Sequence, residues 1–197
     1  MRRYQKGDTL IELVIAFAIF SLAAVTTLVI LNKGIATTQR TLEATLVRQQ
    51  VDSQAELIRY IHYTQDPLWD VLVDPANIAA APAPISSNSD TCPAVGSSAV
   101  GQGFYIRPAV AADPANTTFT RLPINGTTYR QAQTYSKIDY TTAASPSEGI
   151  WIQVAEAQND TSTTVRAYDF YIHACWSSVG LDRPMTLGTI VRLYDNE

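Results

Sequence analysis

The first pattern along the chain is an uninterrupted apolar run. Residues 13–32 carry no charge, Arg2, Arg3 and Lys6 precede them, and Lys33 follows them. A helix of this length spans about 30 Å, which is the thickness of the apolar part of a bilayer. The basic flank predicts that the N-terminus stays in the cytoplasm and that the chain after Lys33 is exported. We therefore expect a single-pass membrane helix over residues 8–33.

The pattern then changes to a helix with one apolar face. No proline interrupts residues 13–64, and the one glycine among them is Gly34, so any break in the helix is expected there. The Asp66-Pro67 pair predicts the end of the helix, because the residue before a proline is driven out of the helical conformation. We expect one helix of about fifty residues, or ~75 Å, whose second half covers residues 34–65. Apolar positions at three- and four-residue steps define the face: Leu42, Leu46, Val47, Val51, Ala55, Ile58 and Ile61.

The last third of the chain alternates with a period of two, which predicts strands over residues 150–155, 165–176 and 187–194. Short links between them indicate an antiparallel sheet. Such a sheet has one face to bury, and the apolar face of the long helix matches it, so we expect the two to pack together. The predicted fold class is α+β. The inward positions are Ile150, Ile152, Val154, Tyr168, Phe170, Ile172, Ala174, Trp176, Leu187, Val191 and Leu193.

The remainder of the predicted head, residues 66–197, is less regular. Residues 68–73 are consistent with a short helix or a turn. Residues 74–103 are rich in Pro, Ala, Ser and Asn, which is typical of a long loop. A short strand is expected over residues 103–107, before Pro108. Residues 109–147 predict one or two short strands without defined bounds.

Composition narrows the class of protein. Of 197 residues, 46% are hydrophobic and 16% are charged, which describes a folded chain rather than a disordered one. The net charge of −4 gives no general attraction to nucleic acid or to anionic lipid. About 160 residues follow the membrane run, enough for one domain with its own core.

One carboxylate, that of Glu12, lies at the start of the apolar run. An unpaired carboxylate is costly in lipid, so its position marks a functional site. It ends the string KGDTLIE at residues 6–12, which follows a short basic leader. This arrangement resembles the N-terminus of type IV pilins and type II secretion pseudopilins, with a prepilin leader and a class III signal peptide. A general secretory signal fits less well, because the run is long and no small-x-small cleavage site follows it.

The resemblance implies that a prepilin peptidase cuts between Gly7 and Asp8, which makes Glu12 the fifth residue of the mature chain. It also implies the pilin architecture of a long helix carrying a head, like a lollipop, and assembly with other pilin subunits on a platform in the membrane. The family's usual first mature residue is phenylalanine, which the peptidase methylates. Asp8 stands there in this chain and favours a minor over a major subunit. Glu12 would pair with a free N-terminal amine and set the register of assembly; the alternative is a glutamate that reaches the lipid headgroups without a partner.

The two cysteines, Cys92 and Cys175, both lie on the exported side, where disulfides form. A bond between them would join the long loop to the second clear strand. The resemblance favours this bond, because many pilins pin a C-terminal loop with a disulfide. The alternative is two unpaired buried thiols.

Other candidates give weaker signals. His62 and His173 are the only histidines and have no metal-binding motif around them, so no metal or cofactor is predicted. No catalytic set of residues is visible, and the expected class is not an enzyme. Four tyrosines in the irregular middle could stack on a surface ligand or on DNA, but ordinary packing of aromatic side chains explains them as well. They are Tyr105, Tyr129, Tyr135 and Tyr140.

These observations favour a structural subunit of a type IV pilus, and a minor pilin over the major pilin. Such a subunit is held in the membrane until assembly and then lies in an extracellular filament, with adhesion, motility or DNA uptake as its work. The close alternative is a pseudopilin of a type II secretion system. A second class is an anchored extracellular binding domain that never polymerises and keeps the Gly7-Asp8 bond. An exported enzyme is the most distant alternative.

Overall fold

A computed structural model describes residues 9–79, 91–108, 118–140, 146–157 and 165–196. The leader and the Gly7-Asp8 bond lie outside these residues. The chain divides into two compact units, Met1–Thr41 and Leu42–Glu197. Its elements are α1 (Thr9–Thr64), α2 (Leu68–Leu72), β1 (Phe104–Pro108), β2 (Phe119–Pro123), β3 (Tyr129–Arg130), β4 (Lys137–Ile138), β5 (Ser147–Glu148), β6 (Ile150–Glu156), β7 (Val165–Trp176) and β8 (Met185–Asn196).

The first unit contains the N-terminal part of α1. Its large apolar side chains are exposed, from 48% for Val29 to 74% for Leu10. By length and composition, α1 is the one helix in the described part of the chain that is long and apolar enough to cross a membrane. The helix continues through Gly34 without interruption, so the break considered at that glycine does not occur.

The helix ends where the sequence predicts. Gln65, the first residue after α1, has a left-handed backbone with φ of 51°. The Asp66 carboxylate then accepts a hydrogen bond from the backbone N–H of Leu68 at 2.9 Å. This contact starts the short helix α2, so residues 68–72 are helical rather than a simple turn.

The main sheet has five antiparallel strands in the order β2-β1-β6-β7-β8. β7 and β8 pair along all twelve residues of each strand, from Val165 with Asn196 to Trp176 with Met185. A second, small sheet has the order β3-β5-β4, with β3 parallel to β5. The α+β prediction with a long helix on an antiparallel sheet is confirmed.

The core of the second unit lies between α1 and one face of the five-stranded sheet. Val47, Val51, Ala55, Ile58 and Ile61 of α1 are buried there, as the apolar face predicts. Leu42 is 59% exposed and Leu46 is half-buried, so the buried part of the face begins at Val47. The prediction was wrong for Leu42 because periodicity gives the direction of a face and not the point where its partner ends.

The opposite face of the sheet is also covered, and the expectation of one buried face was wrong. Trp151 and Gln153 point away from the helix, and both are buried. Trp151 packs in a second cluster with Cys92, Val100, Tyr129 and Cys175. β6 therefore lies between two apolar layers, which explains why its first five residues are all buried.

A buried glutamine joins α1 to the sheet. The Gln54 side chain donates to the carbonyl of Ile106 at 2.8 Å and accepts from the Ile106 backbone N–H at 3.0 Å. β1 pairs with β6 through a single pair, Phe104 with Ile152, so Ile106 lacks a strand partner on that side. Gln54 takes the place of that partner.

Replacing Gln54 with leucine leaves both backbone groups of Ile106 buried without their partner. Each unsatisfied buried group costs about 1–3 kcal/mol, so for the two groups we expect the free energy of unfolding to fall by roughly 2–6 kcal/mol. Chemical denaturation of Gln54→Leu measures the loss. Gln49→Leu, an exposed position of the same helix, is the matched control and should change stability by no more than about 0.5 kcal/mol. Equal stabilities for the two variants would contradict this role of Gln54.

Candidate functional site

Glu12 lies in the first turn of α1. It is exposed, and it is the one charged residue between positions 9 and 32. A helix N-terminus carries a partial positive charge, so a carboxylate in the first turn is favourable there. Within the described residues the Glu12 side chain has no hydrogen bond or ion pair. The amine with which it is expected to pair would belong to Asp8 after cleavage, and Asp8 is outside the described part of the chain.

The helix around Glu12 is apolar on every side. Two apolar residues precede Glu12 and two follow it, and all four are exposed: Leu10, Ile11, Leu13 and Val14. Since the five successive residues Leu10–Val14 are all exposed and point in different directions around the helix, no side of this segment is covered by the described part of its own chain. A helix that is apolar all round needs an apolar environment from outside, either lipid or other helices.

Three hydroxyl groups inside the apolar run are satisfied within the helix. Ser21 donates to the Phe17 carbonyl at 2.7 Å, and Thr27 donates to the Ala23 carbonyl at 2.8 Å. Thr26 shares its hydroxyl between two carbonyls of the preceding turn, at 2.9 and 3.0 Å. A hydroxyl bonded to its own helix does not have to be buried unpaired in an apolar medium. The sequence analysis does not include these three residues. Serine and threonine inside an apolar helical run are nevertheless a sequence signal for hydrogen bonds to the preceding turn.

The two cysteines form a disulfide between the loop before β1 and the end of β7. The Cα atoms of Cys92 and Cys175 are 5.6 Å apart, and both residues are buried. The loop is held at neighbouring points as well: Tyr129 donates its hydroxyl to the Pro93 carbonyl at 3.2 Å, and the Gln131 amide donates to the Cys92 carbonyl. The bond therefore belongs to the second apolar layer of the head.

Glu43 holds the turn after β7 against α1. Its carboxylate accepts from the Trp176 indole N–H at 3.2 Å and from the Ser178 hydroxyl. Glu43 is the second residue of the unit Leu42–Glu197, so this contact lies where the helix enters the head. Nothing in the sequence distinguishes Glu43 from the other charged residues of the helix.

The two histidines lie in different surroundings. The His62 ring packs edge-on against Trp69, with centroids 4.6 Å apart, and its Nε2 is 3.1 Å from the Tyr194 carbonyl. The His173 ring packs on Trp151 with centroids 5.3 Å apart. Over the described ranges, no group of three His, Cys, Asp or Glu side chains is arranged to hold a metal ion.

Burial lowers the pKa of His173 to about 4 from its ordinary value of 6.5. Between pH 4 and 6.5 the unfolded chain binds a proton at this site that the folded chain does not, so stability rises with pH across this window. This increase in the free energy of unfolding is fully present above pH 6.5 and is lost as the pH falls toward 4. It amounts to roughly 3 kcal/mol, because a difference of one pKa unit corresponds to about 1.4 kcal/mol.

We expect His173→Gln to remove this part of the pH dependence. The measurement is the free energy of unfolding of both proteins at several pH values between 4 and 7. The difference between them should grow in favour of the variant as the pH falls. A variant that loses stability with falling pH as steeply as the original protein would contradict this account.

The tyrosines considered as ligand-stacking residues are mostly committed to the fold. Tyr105 and Tyr129 are buried, and burial raises the pKa of each hydroxyl. Tyr135 is half-buried, and Tyr140 contacts the Gln54 amide through its hydroxyl at 2.8 Å. Ordinary packing therefore accounts for Tyr105 and Tyr129.

An open groove of about 540 Å³ lies on the outer side of α1 in the second unit. Tyr60 and Phe119 meet edge-on in it, with ring centroids 5.7 Å apart. Its charged residues, Glu56 and Arg59, pair with each other. Among the described residues that line it there is no histidine or cysteine.

Residues 2–28 match the model of the prokaryotic N-terminal methylation motif, the class III signal peptide of type IV pilins. The resemblance predicted from residues 6–12 is confirmed over this stretch. The match supports a pilin-like or pseudopilin precursor and implies a structural protein rather than an enzyme. Neither the curated proteins nor the solved structures give a match to the chain.

Proposed function

We propose that the chain is a structural subunit of a type IV pilus, a minor rather than a major pilin. In this proposal residues 1–7 are the leader and residues 8–33 anchor the protein in the membrane until assembly. Residues 34–65 connect that segment to the head, residues 66–197. After the peptidase cuts between Gly7 and Asp8, the apolar helix moves from lipid into the filament.

The observation that carries the proposal is the exposed apolar surface of α1 between Leu10 and Leu31. The unit Leu42–Glu197 has a complete core without this segment, so the segment is not needed to fold the domain. An anchor alone would also be apolar, but it would have no reason to carry Glu12 among apolar residues. Helix-to-helix packing in a filament accounts for both the surface and the charge.

Glu12 would set the axial register of the filament. In an apolar core an unpaired carboxylate is strongly unfavourable, and a nearby ammonium group restores most of the lost stabilisation. The amine that cleavage exposes on Asp8 is the natural partner, on the same or a neighbouring subunit. A subunit that is shifted along the filament loses the pair and leaves a buried charge.

Asp8 supports the minor over the major role, since the usual first mature residue of the family is phenylalanine. A pseudopilin of a type II secretion system would use the same leader and the same glutamate, so the methylation motif supports it as well. The partners in either case are other pilin subunits, the prepilin peptidase and the assembly platform.

The test is to follow the full chain in cells that assemble pili, with and without the prepilin peptidase. We expect it in the filament fraction sheared from the surface when the peptidase is present, and in the membrane alone when it is absent. A chain that stays in the membrane in both strains, while the other pilins are sheared off, would make it an anchored domain that does not polymerise.

A further inference from the structure

The link between β7 and β8 is fixed at one end of the second unit. It consists of residues 177–184, which we call the β7–β8 turn. Ser178 in this turn is buried, and its hydroxyl donates to the carboxylate of Glu43, the second residue of the unit. The opposite end of the β7–β8 hairpin lies near the end of α1, where the His62 ring meets the Tyr194 carbonyl. The β7–β8 turn is therefore at the end of the unit at which α1 enters it.

The tip of the β7–β8 turn is apolar and exposed. The backbone N–H of Leu181 donates to the Ser178 carbonyl at 3.4 Å, and Gly180 between them has a φ of 71°, which is typical of a type II turn. Val179 is 60% exposed and Leu181 is 42% exposed. Leu42, at the start of the unit, is 59% exposed. Three aliphatic side chains thus face solvent at the same end of the unit.

The length of the chain between the apolar run and the second unit keeps this end near a membrane. Ten residues of α1 lead from Lys33, which follows the apolar run, to Glu43. Ten helical residues span about 15 Å. The headgroup layer on each side of a bilayer is about 5–8 Å thick. The remaining distance of about 10 Å corresponds to three extended residues, and the β7–β8 turn has eight. The turn is therefore within reach of the headgroups whenever the apolar run is in a bilayer.

The charged residues beside the tip suit a layer of lipid phosphates. Asp182 and Arg183 are exposed, and within the described residues Arg183 makes no hydrogen bond or ion pair. An arginine can lay its apolar stem along an interface and donate hydrogen bonds to phosphate oxygens with its guanidinium group. Because the two charges of the turn cancel, such a contact requires lipid phosphates but no excess of anionic lipid.

We propose that, while the protein is anchored, the β7–β8 turn rests on the lipid headgroups beside its own membrane helix. Val179, Leu181 and Leu42 enter the interface, and Arg183 binds phosphate groups. Removal of the apolar side chains from water favours the contact. Because the turn is already fixed by its own hydrogen bonds, little conformational freedom is lost on binding. The contact holds the head against the membrane before assembly and is broken when the subunit leaves the lipid.

The inference rests on one part of the proposed function, the membrane anchor. It requires neither leader cleavage nor Glu12 nor polymerisation, so it applies equally to a pilin, a pseudopilin and an anchored domain. Lipid is favoured over a neighbouring subunit as the covering surface, because it lies beside every anchored copy. Another head is present only after assembly or at high density.

The test is quenching by lipid nitroxides of a fluorescent label on the uncleaved full chain, at high dilution in phosphatidylcholine vesicles. One added cysteine carries the label, and the native disulfide is buried and does not react. A nitroxide on the lipid headgroup should quench the label at Val179→Cys at least twofold. The label at Tyr63→Cys, at the far end of α1 and also exposed, should keep its full fluorescence.

A label at Leu22→Cys, inside the apolar run, reports separately on the anchor. A nitroxide deep in the acyl chains should quench it. Quenching at Leu22 without quenching at Val179 would overturn the inference and leave the pilin proposal intact. Quenching at neither position would show that the membrane anchor itself fails, which overturns both. A label at Val179 that is shielded from aqueous iodide but not quenched by lipid nitroxides would be covered by protein, and this result also overturns the inference.

Charge reversal tests the contact of Arg183 with phosphate. Arg183→Glu should lower the quenching of the label at Val179→Cys at least twofold, because lipid phosphates repel a carboxylate. Arg166→Glu, at an exposed position near the opposite end of β7, is the matched control and should leave the quenching unchanged. Equal quenching in the two variants would overturn the assignment of the phosphate contact to Arg183.

Discussion

Replacing Glu12 with alanine is expected to lower the amount of the protein in sheared filaments at least tenfold. In the proposed assembly the carboxylate pairs with the amine exposed by cleavage, and this pair is the one polar contact that favours one axial position over another. The surrounding helix is apolar on all sides, so its packing alone permits many registers. The measurement is the ratio of sheared to membrane-bound protein on immunoblots.

Expression and leader cleavage should be normal in Glu12→Ala, because the substitution removes no contact made by the head. Ser21→Ala is the matched control in the same apolar segment, since its hydroxyl bonds only to the Phe17 carbonyl of its own helix. We expect that variant to be incorporated normally. Normal incorporation of Glu12→Ala would contradict the role of Glu12 in register.

The second large effect is expected from removing the disulfide. Cys92 and Cys175 are 83 residues apart in sequence. Closing a loop of this length is worth about 4–5 kcal/mol in the chain-entropy model, because the unfolded chain loses freedom. For the double variant Cys92→Ala/Cys175→Ala we expect a loss of roughly 4 kcal/mol. The corresponding fall in Tm is about 8–16 °C, as 1 kcal/mol shifts a domain of this size by about 2–4 °C.

Thermal unfolding followed by circular dichroism measures this shift. The original protein unfolded under reducing conditions provides the control, because reduction removes the same cross-link without changing the side chains in the cluster. The two should unfold at similar temperatures, both well below the oxidised protein. A double variant with the Tm of the oxidised protein would contradict the stabilising role of the bond.

The long helix and the last three strands could be predicted because local patterns determine them. Asp66-Pro67 set the end of α1 at Thr64, and alternation located β6, β7 and β8 within a few residues. β8 begins two residues earlier and ends two residues later than residues 187–194, since its ends are stabilised by pairing with β7 rather than by their own sequence.

The second apolar layer could not be predicted. Alternation assumes that one face of a strand is polar, but Trp151 and Gln153 are buried under the segment around Val100. The small sheet is also invisible in the sequence, because its strands have two residues each and depend on pairing between β3, β4 and β5. In the sequence, Gln54 looks like any polar residue of the helix. Its role as the hydrogen-bond partner of the Ile106 backbone depends on tertiary structure.

Part of the candidate site could be predicted from local sequence, and part of it could not. The glycine, the glutamate and the apolar run lie close together in the sequence, so the motif predicts the roles of Gly7, Asp8 and Glu12 from local sequence alone. The pairing of the two cysteines could be predicted because the chain has only two. The role of Glu43 in holding the turn after β7 depends on tertiary structure and has no local signature.

The most direct test of the central claim is to determine the N-terminus of the protein by sequencing and intact mass, in cells with and without prepilin peptidase. The pilin account predicts a mature chain that begins at Asp8 only when the peptidase is present. The intact mass would also reveal a methyl group on the new amine. A chain that begins at Met1 in both strains would contradict the account and leave a simple anchored domain.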